Sequence, residues 1–348
     1  MTLADPPAFT PPYDHALAAA LARAGADVEL VTSAFRFGAV PAPDGYTRTE
    51  LFYPLSSRLF RRSKLRLPLK ALEHPLGMAR LRGRKADVLH VQWLAVPPLD
   101  RLLLRPRIPA VFTAHDLLPR RWAGRHELWR ELFGRFGRIV VHSERGRAQL
   151  EAAGVPAARL RVIPHPVFPS DPPRRDDGAT VLFFGVIRPY RGLPDAVAAV
   201  GRVDGARLLV AGDPVDLDGL AGSRPAGVEW RLGYLSEAEV DRAHGEATVA
   251  IFPYRPEIDQ SGSLLRALGA GVPAVVYDVG GLAEPVRAFG AGRVVPAGDV
   301  EGLAAAVREL LGDGAALAAA RAGAVRARTA LTWDAAADAH LELYGELL

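Results

Sequence analysis

Residues 256–284 read PEIDQSGSLLRALGAGVPAVVYDVGGLAE: a polar loop, a helix, a strand and a glycine turn in succession. Leu264, Leu265, Leu268 and Val272 recur at helical spacing, so the helix has one apolar face. Ser261 or Ser263 is placed to cap its first turn, and Gly262 between them allows a close backbone approach. The unpaired N–H groups and positive dipole end at that helix start suit a phosphate. The AVVYD that follows is a buried strand, and Gly280 and Gly281 turn the chain toward Glu284. A polar loop, a helix N-terminus and a turn ending in a carboxylate can together surround one nucleotide-like ligand.

The rest of the composition narrows the class. At 348 residues the chain has room for two ordinary domains, and 49% apolar with 24% charged residues is a globular balance. The absence of cysteine excludes disulfides, zinc thiolates, iron–sulfur clusters and thiol nucleophiles. No apolar run reaches the roughly 20 residues of a membrane helix. The opening MTLADPPAF lacks a basic and an apolar signal region, so a cytoplasmic protein is expected, peripheral at most to the inner membrane face. Net charge is only +4 but uneven: residues 58–85 are dense in Arg and Lys, with Glu73 as the acid among them. That segment is either a solvated basic face or a patch for an anionic partner, such as a membrane surface or a lipid-linked acceptor. No nucleic-acid motif accompanies it, and no nucleic-acid partner is expected.

Taken in order, short strands alternate with helices. Strands are expected at 2–4, 27–32, 86–91, 109–113, 138–142 and 160–164. Several run into polar residues at their C-terminal ends: His90 to Trp93, His115 with Asp116, His142 with Ser143, and His165. Residues 5–14 form a proline-rich loop, either an acceptor contact or a plain connector, and 36–53 read as irregular. There is no G-x-G-x-x-G after the first strand. Residues 168–180, FPSDPPRRDDGAT, read as an interdomain linker. A second alternating run follows, with strands at 180–184, 206–211, 228–232 and 248–253 and a capping box at Ser236 and Glu239. The expected architecture is α/β, two doubly wound Rossmann-like domains with ligands outside the strand C-termini: 1–168 with a final helix 333–348, and 169–332.

Gly185, Arg188 and Arg191 lie in GVIRPYRG, a strand-to-helix turn whose two guanidinium groups suit a diphosphate, or are simply exposed. This loop, with the 256–284 stretch, resembles the donor half of GT-B retaining glycosyltransferases of the family 4, group 1 kind. TAHD, VVHSE, RVIPHP and the terminal TWDAAADAHLELY resemble the same family's first half and its crossover helix. The resemblance implies sugar transfer from a UDP- or GDP-sugar to a hydroxyl acceptor, with retention, without metal and without a resident cofactor. Residue by residue, it implies that Arg191 and Arg188 hold the donor diphosphate. The backbone of Gly233, Tyr234 and Leu235 would hold the base, Ser261, Gly262, Ser263 and Leu264 the phosphate, and His115 would face the donor sugar.

One departure stands out. The family's E-x7-E pair falls here at Ile258 and Arg266, neither acidic. Glu257 or Asp259, beside Gln260, is left to serve the sugar hydroxyls, and Glu284 is either a replacement carboxylate or a surface residue. Arg266 cannot accept ribose hydroxyl bonds. The alternatives are a GT-B epimerase or a GT-B protein that binds without turnover; a phosphorylase would need a pyridoxal lysine, and no lysine follows Lys85. His115 with Asp116 could instead form a base pair for inversion. His90, His142 and His165 read as structural or acceptor-shaping rather than catalytic, and Trp93 and Trp122 as stacking or packing residues.

Overall fold

In the computed structural model the described residues are all but 37, 60–65, 118–123, 215–226 and 256–257. The chain divides into two compact units, residues 1–164 with 333–348, and 165–332. The first unit contains β1 (Thr2–Asp5), α1 (Pro11–Arg23), β2 (Glu29–Ser33), β3 (Thr47–Phe52), α2 (Arg66–Arg82), β4 (Leu89–Val91) and α3 (Pro97–Leu103). It continues with β5 (Ala110–Thr113), α4 (His126–Phe133), β6 (Arg138–Val141), α5 (Glu144–Ala152) and β7 (Leu160–Val162). The second holds β8 (Thr180–Phe184), α6 (Leu193–Val200), β9 (Arg207–Gly212), β10 (Val228–Leu232), α7 (Glu237–Glu246) and β11 (Val249–Phe252). After these come α8 (Gly262–Gly269), β12 (Ala274–Tyr277), α9 (Ala283–Phe289), β13 (Gly292–Val295), α10 (Val300–Gly312) and α11 (Gly314–Ala330). The last helix, α12 (Trp333–Gly345), belongs to the first unit and packs on α1.

Both sheets are parallel. Their orders are β3-β2-β1-β4-β5-β6-β7 and β10-β9-β8-β11-β12-β13. Strand direction of growth reverses between β1 and β4 and between β8 and β11, and at such switch points the loops diverge and leave a crevice at the strand C-termini. The central strands β1, β5, β8, β11 and β12 are buried along their whole length, as helices on both faces require.

The structure departs from the sequence expectations in places with clear causes. Residues 47–52 form an edge strand, not irregular chain; TRTELF is half exposed there, so no apolar run marks it. α9 and β13 also escaped the periodicity, the helix because it is short and β13 because it is the other sheet's edge. α1 begins at Pro11 inside the proline loop, since prolines at the first positions lose no helical N–H bond. The 168–180 stretch is bound along the second unit: Ser170 N–H donates to Gly269 O and Arg175 N–H to Gly245 O.

The 58–85 segment contains α2. Glu73 is not part of its charged surface: the carboxylate is buried and accepts the N–H groups of Leu55 (2.7 Å) and Ser56 (3.0 Å). His74 beside it bridges Tyr53 and Asp100, each at 2.7 Å, and docks this face of the helix. Glu73→Ala leaves two backbone donors without their acceptor, and a loss of roughly 2–3 kcal/mol is expected. Calorimetry should show the first unit melting several degrees lower; an unchanged profile would contradict the bonding.

Candidate donor site and the histidine edge

The loop from β8 to α6 is shaped by glycines. Gly185 lies at φ +118°, and a Cβ there would overlap Ser263 Oγ and Arg191 Nη1. Gly192, at φ +70°, caps α6 and presses on Pro253 O at the end of β11. Ile187 N–H donates to Asp213 O (2.8 Å), and Arg255 N–H to Tyr190 O (2.8 Å). These bonds fold the GVIRPYRG loop over the β8/β11 switch point.

There the Arg191 Nη1 donates to Tyr254 Oη (2.6 Å), Ser263 Oγ (2.9 Å) and Phe184 O (3.3 Å). Its guanidinium lies 5.0 Å from the centre of the Tyr254 ring, a cation–π contact. Tyr254 is buried, and its hydroxyl lies 3.1 Å from Ser261 Oγ. Burial pushes the Tyr254 phenol up, with the Arg191 charge opposing. Ser261 is the helix cap: its Oγ accepts from Leu264 N–H (3.3 Å). Ser263 instead meets Arg191. All Arg191 contacts among the described residues are to neutral oxygens or a ring; no carboxylate pairs with it, and its buried Nε–H has no acceptor there. A half-buried cation with no counter-charge among the described residues, at the N-terminus of α8, suits an anion.

The neighbouring residues fall into place around it. Arg188 is exposed and has no partner among the described residues. Tyr254 and Arg255 were missed by the motif reading; their signal is position, directly after the C-terminal end of β11. Asp259 is buried, and its Oδ1 accepts Gly281 N–H (3.0 Å), fastening the glycine turn. Gly280 there, at φ +47°, leaves no space for a Cβ beside Ile258 O. Gln260 Nε2 reaches Gly281 O at 3.4 Å. Glu284 sits half-buried in the first turn of α9. Glu257 lies outside the described residues, as does Trp122.

Gly233, at φ +138°, turns the chain from β10 to an exposed Tyr234, with Leu235 packed on the core. Partial burial and then the Glu237 carboxylate push the Tyr234 phenol up. Arg266 is committed: it donates to both Glu237 oxygens, at 2.7 and 3.1 Å, and lies 4.9 Å over the Phe168 ring. With Glu237 largely exposed, this pair contributes at most about 1 kcal/mol.

In the first unit the strand ends carry a different set. His115 stacks on Trp93 (5.1 Å, 14°) and meets the edge of Tyr13 (4.7 Å). Its Nε2 is 2.9 Å from the Gln92 amide, and its Nδ1 is 3.4 Å from His142 Nε2. His142 donates Nδ1–H to Ile163 O (2.9 Å). His90 is structural, joining Tyr344 of α12 (2.6 Å) to Thr113 of β5 (2.7 Å). His165 falls in the second unit, where its Nδ1 meets Pro166 O at 2.7 Å. A cavity of about 830 Å³ in the first unit opens at the opposite, N-terminal strand ends, beside Thr2 and Leu89, away from this set. Among the described residues no group of His, Asp or Glu is arranged to hold a metal ion.

Burial pulls His142 and His340 down to about 4 and His90 well below its ordinary value. These rings enter the folded state neutral, so the unfolded chain binds more protons below its own pKa near 6.5. Their contribution is full above that pH and is lost as pH falls toward 4. Calorimetry between pH 7 and 4 should show the first unit losing stability steadily. His142→Asn should flatten part of that slope; an identical slope would remove His142 as a cause.

The sequence matches two protein families. Residues 13–171 match Glycosyltransferase Family 4, and residues 178–313 match Glycosyl transferases group 1. The chain belongs to the glycosyltransferases of this family pair. Among solved structures it is similar to sucrose-phosphate synthase from Thermosynechococcus elongatus, with TM-score 0.78, 19% identity, and 99% and 98% of the two chains covered. The Anabaena protein HepE, solved with UDP and glucose, gives TM-score 0.72 at 15% identity, with 99% of each chain covered. WaaG, a glycosyltransferase of lipopolysaccharide biosynthesis, gives 0.70 at 15%, also with 99% of each covered. These likenesses establish the GT-B fold: two Rossmann-like units. No protein of curated function matches the sequence. This glycosyltransferase contains, among its described residues, no helix long and apolar enough to cross a membrane.

Proposed function

We propose that the enzyme transfers a sugar from a nucleoside-diphosphate sugar to a hydroxyl, with retention of configuration and without a metal ion. The observation that carries this reading is Arg191, a cation without a carboxylate partner among the described residues, at the head of α8. Arg188 in the same loop adds a second guanidinium, and Arg255 a third. In this reading the N–H groups of residues 261–263 at the start of α8 meet the phosphate, and Gly185 lets it approach. Gly233, Tyr234 and Leu235 hold the base, while Gln260, with Asp259 or Glu257, serves the sugar. Glu284 closes the turn side. HepE, the structural neighbour solved with UDP-glucose, supports a nucleotide-sugar partner of this type.

The chemistry needs little covalent help from the protein. The bond from the sugar C1 to the diphosphate oxygen breaks, and the charge on the departing diphosphate is stabilised by Arg191, Arg188 and the α8 N–H groups. The acceptor hydroxyl attacks C1 from the same face, and its proton passes to the departing phosphate oxygen. Positioning and fixed electrostatics supply the acceleration. His115, held between Tyr13 and Trp93, belongs to the first unit.

The test is a thermal-shift screen with UDP, GDP and their sugars, followed by donor hydrolysis. A true donor at a hundredfold its Kd adds about 2.7 kcal/mol to apparent stability. Binding without hydrolysis or transfer would favour a protein that binds a nucleotide sugar without turnover.

The acceptor in this reading is lipid-linked, at a membrane surface. The outer face of α2 supports it: Leu67, Leu72 and Leu76 are exposed at 68%, 72% and 62%, with Arg80 and Arg82 exposed at its C-terminal end. A helix that turns leucines outward next to arginines suits an anionic bilayer interface. Leu72→Glu with Leu76→Glu should abolish co-sedimentation with anionic vesicles and leave binding of free nucleotide unchanged. Unaltered sedimentation would remove the membrane assignment.

A further inference from the structure

Asp5 and Asp14 have no role in the donor chemistry, yet both carboxyls are inside the first unit. Asp5 ends β1, next to the β1/β4 switch point, and is fully buried; Asp14 stands in the first turn of α1 at 2% exposure. Neither has an ion pair among the described residues. Thr10 N–H donates to Asp5 Oδ2 (3.3 Å), while Ala8 N–H donates to the Asp5 backbone carbonyl (3.1 Å). Thr10 Oγ1 reaches Asp14 Oδ2 at 3.5 Å. That leaves Asp5 Oδ1 and Asp14 Oδ1, both buried and both without a donor. Both carboxyls converge on one residue, Thr10, Asp5 through its N–H and Asp14 through its hydroxyl. Two acceptors cannot bond without a hydrogen, and two bare carboxylates cannot both ionise side by side in a dry interior.

We infer that Asp5 and Asp14 share one proton, and that this proton latches the 6–10 loop and so positions the aromatic edge made by Phe9, Trp93 and His115. Asp5, with the backbone N–H of Thr10 as donor, carries the charge; Asp14, reached by the Thr10 hydroxyl at 3.5 Å, carries the hydrogen. Burial and then the Asp5 charge push the Asp14 carboxyl well up, and burial pushes Asp5 up as well. The loop is one that needs a latch. Ala8 sits at φ +51°, a left-handed conformation that a non-glycine residue keeps only when its surroundings enforce it. The loop also holds Phe9 outward at 56% exposure, where it earns no burial. From the pair the connection runs through Thr10, whose Oγ1 accepts the Trp93 Nε1–H (2.8 Å). Phe9 meets Trp93 edge-on at 5.3 Å, and Trp93 stacks on His115.

The titratable groups facing the pair are Tyr13 on α1, Tyr46 before β3 and Tyr53 after β3, with Lys70 of α2 over the Tyr53 and Phe9 rings at 4.4 and 5.9 Å. All three phenols are raised, by burial first, and stay neutral where the carboxyl pair titrates. Since the folded Asp14 value lies above the unfolded one, the folded state holds the extra proton. Its stabilising effect is complete below the unfolded carboxylate pKa near 4 and is lost as pH rises through the folded value. This is opposite in sign to the buried histidines.

Infrared difference spectroscopy of the full chain at neutral pH tests the proton directly. A protonated-carboxyl carbonyl band is expected in the wild type and absent in Asp14→Asn, whose amide N–H replaces the shared hydrogen. Calorimetry should show the ratio of wild-type to variant folding constants falling by up to about tenfold per pH unit above pH 5. Absence of the band in the wild type, or parallel stability curves, overturns the shared proton. If the variant does not fold, loss of the wild-type band on raising pH, together with a change in tryptophan emission, decides the same point; a band that persists with unchanged emission overturns the latch. The positioning role rests on the proposed transfer reaction: wild-type acceptor KM should rise at alkaline pH while donor hydrolysis holds, and Asp14→Asn should remove that rise. An intact band with a pH-independent acceptor KM overturns the positioning role alone.

Discussion

Arg191→Ala is expected to lower glycosyl transfer on the order of a hundred- to a thousandfold, the range for losing one fixed donor to a developing anion. The arginine is not replaceable by a mobile cation. Its Nη1 is locked by Tyr254, Ser263 and the Phe184 carbonyl, which fixes the direction of its remaining N–H groups. Arg191→Lys keeps the charge but not the planar fork, and should recover little of the rate. The alanine variant also leaves the buried Tyr254 and Ser263 oxygens short of a donor, so a stability loss of roughly 1–3 kcal/mol accompanies the effect. The two are separable: circular dichroism and melting report the fold, while steady-state kinetics at a temperature well below the transition report the site. Near-normal turnover in a folded Arg191→Ala protein would remove the donor assignment.

Gly185→Ala should reach a similar loss without touching a charged group. The residue lies at φ +118°, a region that is nearly glycine-only, and any Cβ would overlap Arg191 Nη1 and Ser263 Oγ. The side chains must separate or the loop must shift, and either breaks the Arg191–Ser263 contact. Strain of about 1–3 kcal/mol is expected in the melting of the second unit. Transfer should fall nearly as far as in Arg191→Ala. Because both changes disable one contact, the double variant should be scarcely slower than Arg191→Ala alone. Multiplicative losses would show that Gly185 acts separately, through direct approach of the ligand.

Much of the local structure around the candidate site was legible in the sequence. The helix after Ser261 begins at one of the two serines expected to cap it, and the Ser236–Glu239 box forms with both reciprocal bonds. Such features are local: a cap, a turn glycine or an apolar face is decided by residues a few positions apart. What failed was equally systematic. β3 and β13 are edge strands with few buried positions, and Glu73 looked like one acid in a basic surface until Leu55 and Ser56 were brought against it.

Arg266 shows the boundary between the two kinds of information. The sequence identifies it as a cation where relatives place an acid, and nothing more. Only the fold brings α7 beside α8 and gives that cation a bidentate partner in Glu237, 29 residues away. Arg191 is similar: the sequence places it in a phosphate-like loop, but its lack of a carboxylate partner among the described residues depends on what β11 and α8 deliver around it. Asp5 and Asp14 had no local signature at all. The sequence by itself determined the alternation of strands and helices, the helix caps and the loop glycines, because these follow from spacing along the chain. The tertiary structure alone decided which charges are compensated, which carboxyls are buried together and which leucines of α2 face outward. Burial and pairing belong to contacts between segments far apart in sequence, and no local pattern encodes them.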